Sequence, residues 1–125
     1  MVKIFIVDDD QSLQRLYSLI LKEAGFEIID TAFNGKIAVE KYKNFHRKPD
    51  IILMDHRMPI KNGLDAMIDI LQINEHEHII FASADITVKE EVLSQGACAF
   101  LNKPFAMKKL LITIKDVINQ LVIER

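Results

Sequence analysis

Five short apolar segments alternate with five amphipathic segments along this chain, and that alternation restricts its fold more than any other feature. The apolar segments are rich in β-branched residues, as is typical of strands buried on both faces. They are Lys3–Val7, Glu27–Ala32, Ile51–Met54, Ile79–Ala82 and Ala99–Leu101. Strict alternation of strands and helices implies right-handed crossovers. We therefore predict an α/β fold with a five-stranded parallel sheet and helices on both faces. If the sheet has the flavodoxin-like order 2-1-3-4-5, the first and third strands are neighbours.

The amphipathic segments carry apolar residues at helical spacing, and several have recognisable ends. Asp10 can cap the first helix, and Gly25 follows it where a left-handed residue commonly ends a helix. Asp85 to Thr87 offers caps for a fourth helix that ends near Gln95 and Gly96. The other predicted helices span about 11–24, 36–45, 64–71 and 106–123.

Size and composition limit the classes of protein to consider. At 125 residues with a net charge of −2, we expect one domain over residues 1–125 that contacts neither nucleic acid nor a membrane. No apolar stretch has transmembrane length, and no signal peptide is evident, which predicts a cytoplasmic protein. Cys98 is the only cysteine, and we expect it to be a small buried hydrophobe.

Polar side chains directly follow four of the predicted strands. Asp8, Asp9 and Asp10 follow the first, Asp55 the third, Ser83 the fourth and Lys103 the fifth. Parallel strands place these residues at one edge of the sheet, where α/β folds bind ligands. Two carboxylates about 4 Å apart repel by roughly 4 kcal/mol at an effective dielectric near 20. Such hard oxygens favour Mg²⁺, with Mn²⁺ as a second choice, and a hydroxyl and an ammonium suit a phosphoryl group.

Four of these segments together resemble the receiver domain of the response-regulator family, the module of two-component signalling in bacteria and archaea. The similarity covers the whole chain and rests on the sequences IFIVDDD, ILMDHRMPIKNG, FASA and GACAFLNKPF. It implies that Asp55 is a phosphoacceptor for the phosphohistidine of a sensor histidine kinase or a phosphotransfer protein. It also implies that the domain assists its own phosphorylation and dephosphorylation and then binds a downstream target protein.

The resemblance also assigns roles to individual residues. Asp8 and Asp9 correspond to the acids that hold Mg²⁺, with Asp9 the more direct ligand. Asp55 and the backbone carbonyl of Arg57 would complete the protein ligands. The remaining two positions are Ser83, which matches a switch hydroxyl, and Lys103, which matches the lysine that pairs with the phosphoryl group.

Three further residues gain an interpretation from the same comparison. Phe100 occupies the position of an aromatic residue that moves with the switch, but it can equally be a plain core residue. Arg57 and Asp85 lie two residues after Asp55 and Ser83. We expect them to form an ion pair that shields the acyl phosphate from water, or else to be two separate solvated charges.

Other interpretations remain open from the sequence. The segment Asp8–Ser12 loosely fits the nucleophile loop of haloacid-dehalogenase-like phosphatases, which would make the protein an enzyme. The same fold can also act as a binding module without phosphorylation. His76 and His78 alternate with glutamates, which we interpret as a solvated turn rather than a metal site. On the last helix Ile112, Val122 and Ile123 lie outside the main apolar stripe and suit either a homodimer surface or a broad buried face.

Overall fold

Five parallel strands form a single sheet with helices on both faces. A computed structural model of the protein describes residues 1–124, with the backbone alone for 122–124. The strands are β1 (Lys3–Val7), β2 (Glu27–Ala32), β3 (Ile51–Met54), β4 (Ile79–Ser83) and β5 (Ala99–Asn102). Their order in the sheet is β2-β1-β3-β4-β5, with every neighbouring pair parallel. The predicted fold class is confirmed.

The helices begin and end close to the predicted positions. They are α1 (Gln11–Glu23), α2 (Gly35–Asn44), α3 (Gly63–Ile73), α4 (Lys89–Ser94) and α5 (Met107–Glu124). Asp10 caps α1, accepting hydrogen bonds from the backbone N–H groups of Ser12 and Leu13. Gly25 has a φ of 94°, as predicted for the residue that ends this helix. None of the described helices is long and apolar enough to cross a membrane.

The start of the fourth helix differs from the prediction. Asp85 caps a short 3₁₀ turn, Ile86–Val88, and α4 begins only at Lys89. The residues of this turn are all β-branched, which lose side-chain freedom in an α-helix and therefore disfavour it. The segment that follows Ser83 is consequently a tight turn and a helix of six residues.

Alternate residues of the strands form two apolar layers, one on each face of the sheet. Phe5, Val7 and Phe81 belong to the layer that includes residues of α2 and α3. Ile6 and Leu53 belong to the other layer, together with residues of α1 and α5. Because both faces are covered, ligands reach the sheet at its edges, where polar side chains follow the strands.

Cys98 contradicts the prediction that it is a buried hydrophobe, because its side chain is exposed. It lies immediately before β5, the outermost strand on that side of the sheet. Its backbone N–H donates to the carbonyl oxygen of Ile79 at 2.8 Å. The half-buried neighbours Ala97 and Ala99 pack against the two core layers, which leaves the side chain between them outside.

Of the three apolar residues outside the main stripe of the last helix, only Ile112 has a described side chain. Ile112 is 49% exposed, whereas Leu111 and Ile118 are partly buried against the core. The side chains of Val122 and Ile123 lie outside the described residues. A homodimer surface on this helix therefore stays a prediction.

Candidate acidic phosphoryl site at the carboxyl edge of the sheet

Three charged side chains from different strand ends meet at the carboxyl edge of the sheet. Lys103 extends from the end of β5, and its Nζ lies 2.8 Å from Oδ2 of Asp8 and 3.7 Å from Oδ1 of Asp55. The backbone connects the same strand ends, because Asp55 donates its N–H to the carbonyl of Val7 at 2.9 Å. The arrangement follows from the strand order, which places β1 beside β3 where the direction of winding reverses.

The carboxylates of Asp8, Asp9 and Asp55 form a cluster suited to a hard divalent cation. Each offers an oxygen within 4.8 Å of the others. Asp8 and Asp55 are buried, whereas Asp9 is exposed, so that a bound ion would keep contact with water. The three carboxylates outnumber the ammonium of Lys103, which lies near Asp8 and Asp55, so the cluster has an excess of negative charge. This donor set fits Mg²⁺, which prefers oxygen ligands and keeps several waters.

The carboxyl group of Asp55 is held in a mixed electrostatic environment. Burial raises its pKa to about 6, the ammonium of Lys103 opposes this shift, and the charge of Asp8 adds to it. The backbone N–H of His56 donates to Oδ1 of Asp55 at 2.8 Å, which favours the ionised form. At neutral pH the group is therefore mostly a carboxylate, yet a poorly solvated one.

A close backbone approach fixes the loop that follows Asp55. Gly63 donates its N–H to the carbonyl of His56 at 2.8 Å, and a Cβ at this position would stand 2.0 Å from the carbonyl oxygen of Asp55. Only glycine fits there. The imidazole of His56 is buried, and its Nδ1 accepts from Leu64 N–H at 3.4 Å. Burial lowers the pKa of His56, whose ring contacts the first turn of α3.

Ser83 lies beside a surface depression of about 300 Å³ that gives access to Asp55. Its side chain is buried, and its Oγ accepts a hydrogen bond from the N–H of Asp85 at 3.1 Å. Arg57 and Asp85 line the same depression and are joined by an ion pair of 3.0 Å. The depression therefore combines a carboxylate, a hydroxyl and an ammonium in one opening.

Phe100 lies outside this acidic cluster. It pairs with Phe81 in the register of β4 and β5 and is partly buried against a core layer that contains Val92 of α4. Val88, at the end of the 3₁₀ turn, packs on the same layer. Phe100 therefore packs on the same core layer as the segment after Ser83, rather than on the carboxylates.

Sequence reasoning missed Gln14, a buried polar residue on α1. Its Nε2 donates to the backbone carbonyls of Asp8 at 2.8 Å and Ala32 at 2.7 Å. These bonds fix the ends of β1 and β2, and with them the position of Asp8. Gln14 could have been found, because it shares the inward stripe of α1 with the buried Tyr17 and Leu21, where a polar residue needs a partner.

Comparisons with known proteins agree with the fold. The family model described as response regulator receiver domain matches residues 4–115. The chain therefore belongs to the receiver family of response regulators and is a CheY-like receiver domain of two-component signalling.

Curated relatives are similar over almost their whole length. The chemotaxis protein CheY of Thermotoga maritima is 37% identical over 117 residues, which cover 92% of this chain and 96% of that protein. The chemotaxis protein CheY of Bacillus subtilis is 36% identical over 119 residues, covering 94% and 98%.

Solved structures give the same result. CheY in the CheX–CheY–BeF₃–Mg²⁺ complex from Borrelia burgdorferi has a TM-score of 0.89 and 32% identity, covering 94% of this chain and 89% of that chain. A CheY-like receiver domain from Methanospirillum hungatei has a TM-score of 0.92 at 24% identity, covering 100% and 99%, and supports the fold alone.

Proposed function

We propose that residues 1–125 form one receiver domain that acts as a phosphorylation switch, in which Asp55 accepts a phosphoryl group from a sensor histidine kinase or a phosphotransfer protein. The observation that carries this proposal is the position of Lys103, whose Nζ lies 3.7 Å from Oδ1 of Asp55. An ammonium group at that distance can neutralise an oxygen of a phosphoryl group attached to the carboxylate.

In the proposed reaction a carboxylate oxygen of Asp55 attacks phosphorus of the phosphohistidine. The bond between phosphorus and the ring nitrogen breaks, its electron pair leaves with the imidazole, and water supplies a proton to the ring. The product is an acyl phosphate, and a later attack by water releases phosphate and restores the carboxylate. Because the transition state is loose, with charge on the outer oxygens, catalysis depends mainly on positioning and charge neutralisation, to which Ser83 and Lys103 would contribute.

Asp8, Asp9 and Asp55 would hold Mg²⁺, with Asp9 the more direct ligand and the backbone carbonyl of Arg57 as a further one. Mn²⁺ would satisfy the same oxygen donors. When bound, the cation supplies additional positive charge for the phosphoryl oxygens. The proximity of the three carboxylate oxygens, all within 4.8 Å, supports this assignment.

We further propose that Ser83 and Phe100 transmit the phosphorylated state to the surface. The Ser83 hydroxyl can donate its proton to a phosphoryl oxygen on Asp55, which would pull on the Asp85 N–H bonded to the same Oγ. That shift would move the 3₁₀ turn and Val88, which packs on the same core layer as Phe100. The surface around α4 and β5 would change as a result, and a downstream target protein would read the change.

Labelling with a small phosphodonor tests the central proposal. The protein is incubated with Mg²⁺ and acetyl phosphate, and intact mass with peptide mapping locates the phosphoryl group. We expect one label on Asp55, no label in Asp55→Asn, and normal labelling in the control Asp65→Asn, which changes an exposed acid on α3. A label on another residue, or a labelled Asp55→Asn, overturns the proposal, and absence of any label favours a binding module without phosphorylation.

A turnover assay separates the switch from a phosphatase with Asp8 as nucleophile. Both oxygens of Asp8 are already engaged, one by Lys103 and the other by the N–H of Asp10 at 2.9 Å. We therefore expect no steady turnover of p-nitrophenyl phosphate by the wild type. Continuous phosphate release that is lost in Asp8→Asn and kept in Asp55→Asn would identify the enzyme instead.

The proposed partners are proteins, and the proposed compartment is the cytoplasm, where kinase and target would meet the domain. We expect contact with neither nucleic acid nor a membrane, since the net charge is only −2. A homodimer through the last helix, near the exposed Ile112, is the remaining proposal. Sedimentation of the protein with and without acetyl phosphate would show a doubled mass in at least one state.

A further inference from the structure

A buried acid lies at the end of the sheet opposite Asp55. Glu77, which precedes β4, is only 6% exposed. The hydroxyl of Tyr42 on α2 donates to its Oε1 at 2.8 Å, and the backbone N–H of His78 donates to its Oε2 at 2.9 Å. Asn74, at the end of α3, donates to the Tyr42 oxygen at 3.2 Å. One carboxyl group therefore connects α2, the end of α3 and the start of β4.

The surroundings of Glu77 offer little positive charge. Among the described residues, no cationic group lies within ion-pair distance of it. Lys48 lies over the ring of Tyr42, with Nζ 4.7 Å from the centroid, and bonds to the Tyr42 carbonyl. Glu77 lines a surface depression of about 330 Å³. Asp50, Asn74, His76, His78 and, from α5, Leu121 line it as well.

We propose that Glu77 is a proton-operated clamp, which holds α2, α3 and β4 together when protonated and loosens them when it loses the proton. In the neutral form the hydrogen bond between Tyr42 and Glu77 would reverse its direction: the carboxyl O–H donates to the Tyr42 oxygen, and the carbonyl oxygen accepts from His78 N–H. The Tyr42 oxygen can accept both this proton and the one from Asn74. In the ionised form a buried charge is left with two neutral donors, which compensate burial only in part.

The electrostatics of the cluster agree with this arrangement. Burial raises the pKa of Glu77 from its ordinary 4.5 to about 7, against the opposing effect of the bonds from Tyr42 and His78. The charge of Asp50 raises this pKa further, and that of Lys48 lowers it. Because the folded-state pKa is raised, the stabilisation is complete below about pH 4.5 and is lost as the pH rises through 7. We expect the folding equilibrium constant to fall on the order of a hundredfold across this range.

Direct titration tests the proposal in the unaltered protein, without Mg²⁺ or a phosphodonor and hence independently of the phosphorylation switch. The chemical shift of the Glu77 carboxyl carbon is followed by NMR between roughly pH 3 and pH 9, a range that covers the protonated and the ionised form of the acid. The exposed Glu75 is the internal reference. We expect Glu77 to titrate near neutrality, well above the ordinary 4.5 of a glutamate. A Glu77 that titrates near 4.5 overturns the clamp.

A matched pair of variants tests whether ionisation of Glu77 weakens the folded state. Glu77→Gln resembles the protonated acid, because its carbonyl can accept from His78 and its amide can donate to Tyr42. We expect its stability by urea unfolding to change little between about pH 5 and pH 8, whereas the wild type and the control Glu75→Gln weaken on the order of a hundredfold. His76 and His78 are kept in all three proteins. A Glu77→Gln protein that weakens with pH as the wild type does contradicts the proposal, and if this variant does not fold, the titration decides alone.

Discussion

Arg57 and Asp85 are joined across the opening that leads to Asp55. Nη2 of Arg57 lies 3.0 Å and Nε 3.1 Å from the same oxygen, Oδ2 of Asp85. The Arg57 side chain is 79% exposed, whereas that of Asp85 is 9% exposed. The other oxygen of Asp85 accepts from the N–H of Thr87 and caps the 3₁₀ turn. The pair therefore connects the loop after β3 with the turn after β4, directly beside the proposed phosphorylation site.

We predict that this ion pair slows hydrolysis of the acyl phosphate. Loss of the guanidinium group would open the depression to water, but a pair with an exposed arginine has a small effect, so Arg57→Ala should shorten the phosphoryl half-life about two- to threefold. The half-life is measured by the decay of the phosphorylated mass after removal of acetyl phosphate. Arg47→Ala, which removes an exposed arginine outside the depression, is the control and should leave it unchanged. An unchanged half-life in Arg57→Ala rules out protection of the acyl phosphate by this ion pair.

Lys103 should govern the ionisation of Asp55. Its ammonium lowers the pKa of Asp55 against burial and the charge of Asp8. Lys103→Gln should therefore raise this pKa above about 6, so that less carboxylate is present at neutral pH. NMR titration of the Asp55 carboxyl carbon measures the shift, and the exposed Lys108→Gln is the control. An equal or lower pKa in Lys103→Gln would contradict the electrostatic role.

The meeting of Asp8, Asp55 and Lys103 could be predicted from the sequence because it depends on strand ends alone. Each of these residues follows an apolar run, and the alternation of elements specifies a parallel sheet whose strand ends share an edge. Side-chain detail was not needed. The same reasoning gave Asp10 as a cap and Gly25 as a helix end, since both depend only on local backbone.

Features that depend on tertiary packing escaped prediction. Tyr42 and Glu77 are 35 residues apart, and only the packing of α2 against the start of β4 brings them together. The exposure of Cys98 likewise depends on the strand order, because β5 is the outermost strand of the sheet and has a neighbouring strand on one side only. The requirement for glycine at position 63 comes from the carbonyl of Asp55, eight residues earlier, and local turn propensity does not reveal that contact.

Gly63→Ala should destabilise the protein and disturb the acidic cluster together. The added Cβ would stand 2.0 Å from the carbonyl oxygen of Asp55, so the loop or β3 must move. We expect a loss of about 2–4 kcal/mol in the free energy of unfolding, measured with urea, and weaker labelling by acetyl phosphate. Gly25→Ala is the control, because a Cβ there meets nothing within 4 Å and only the φ of 94° opposes it. That control should lose about 1 kcal/mol and keep its labelling.

Ile60 carries backbone strain that the domain does not need for its own packing. Its φ is 71°, the only positive value of a non-glycine residue within residues 1–124, and its side chain is 77% exposed. The N–H of Lys61 donates to the carbonyl of Pro59 at 2.7 Å, which closes a tight γ-turn around Ile60. A β-branched residue is costly at a positive φ, whereas glycine adopts such a φ readily and asparagine does so more often than most other residues.

Ile60→Asn should therefore raise the free energy of unfolding by about 1 kcal/mol, because little buried apolar area is lost and the strain is relieved. Ile60→Gly should gain less, because glycine adds conformational entropy to the unfolded chain. Urea unfolding of the unphosphorylated proteins measures the change. Ile73→Asn is the matched control, since this residue is 42% exposed and ends α3 in ordinary helical backbone. It should gain nothing, because no strain is present to relieve. If both Ile60 variants are less stable than the wild type, the exposed side chain makes a contact worth more than the strain of the turn.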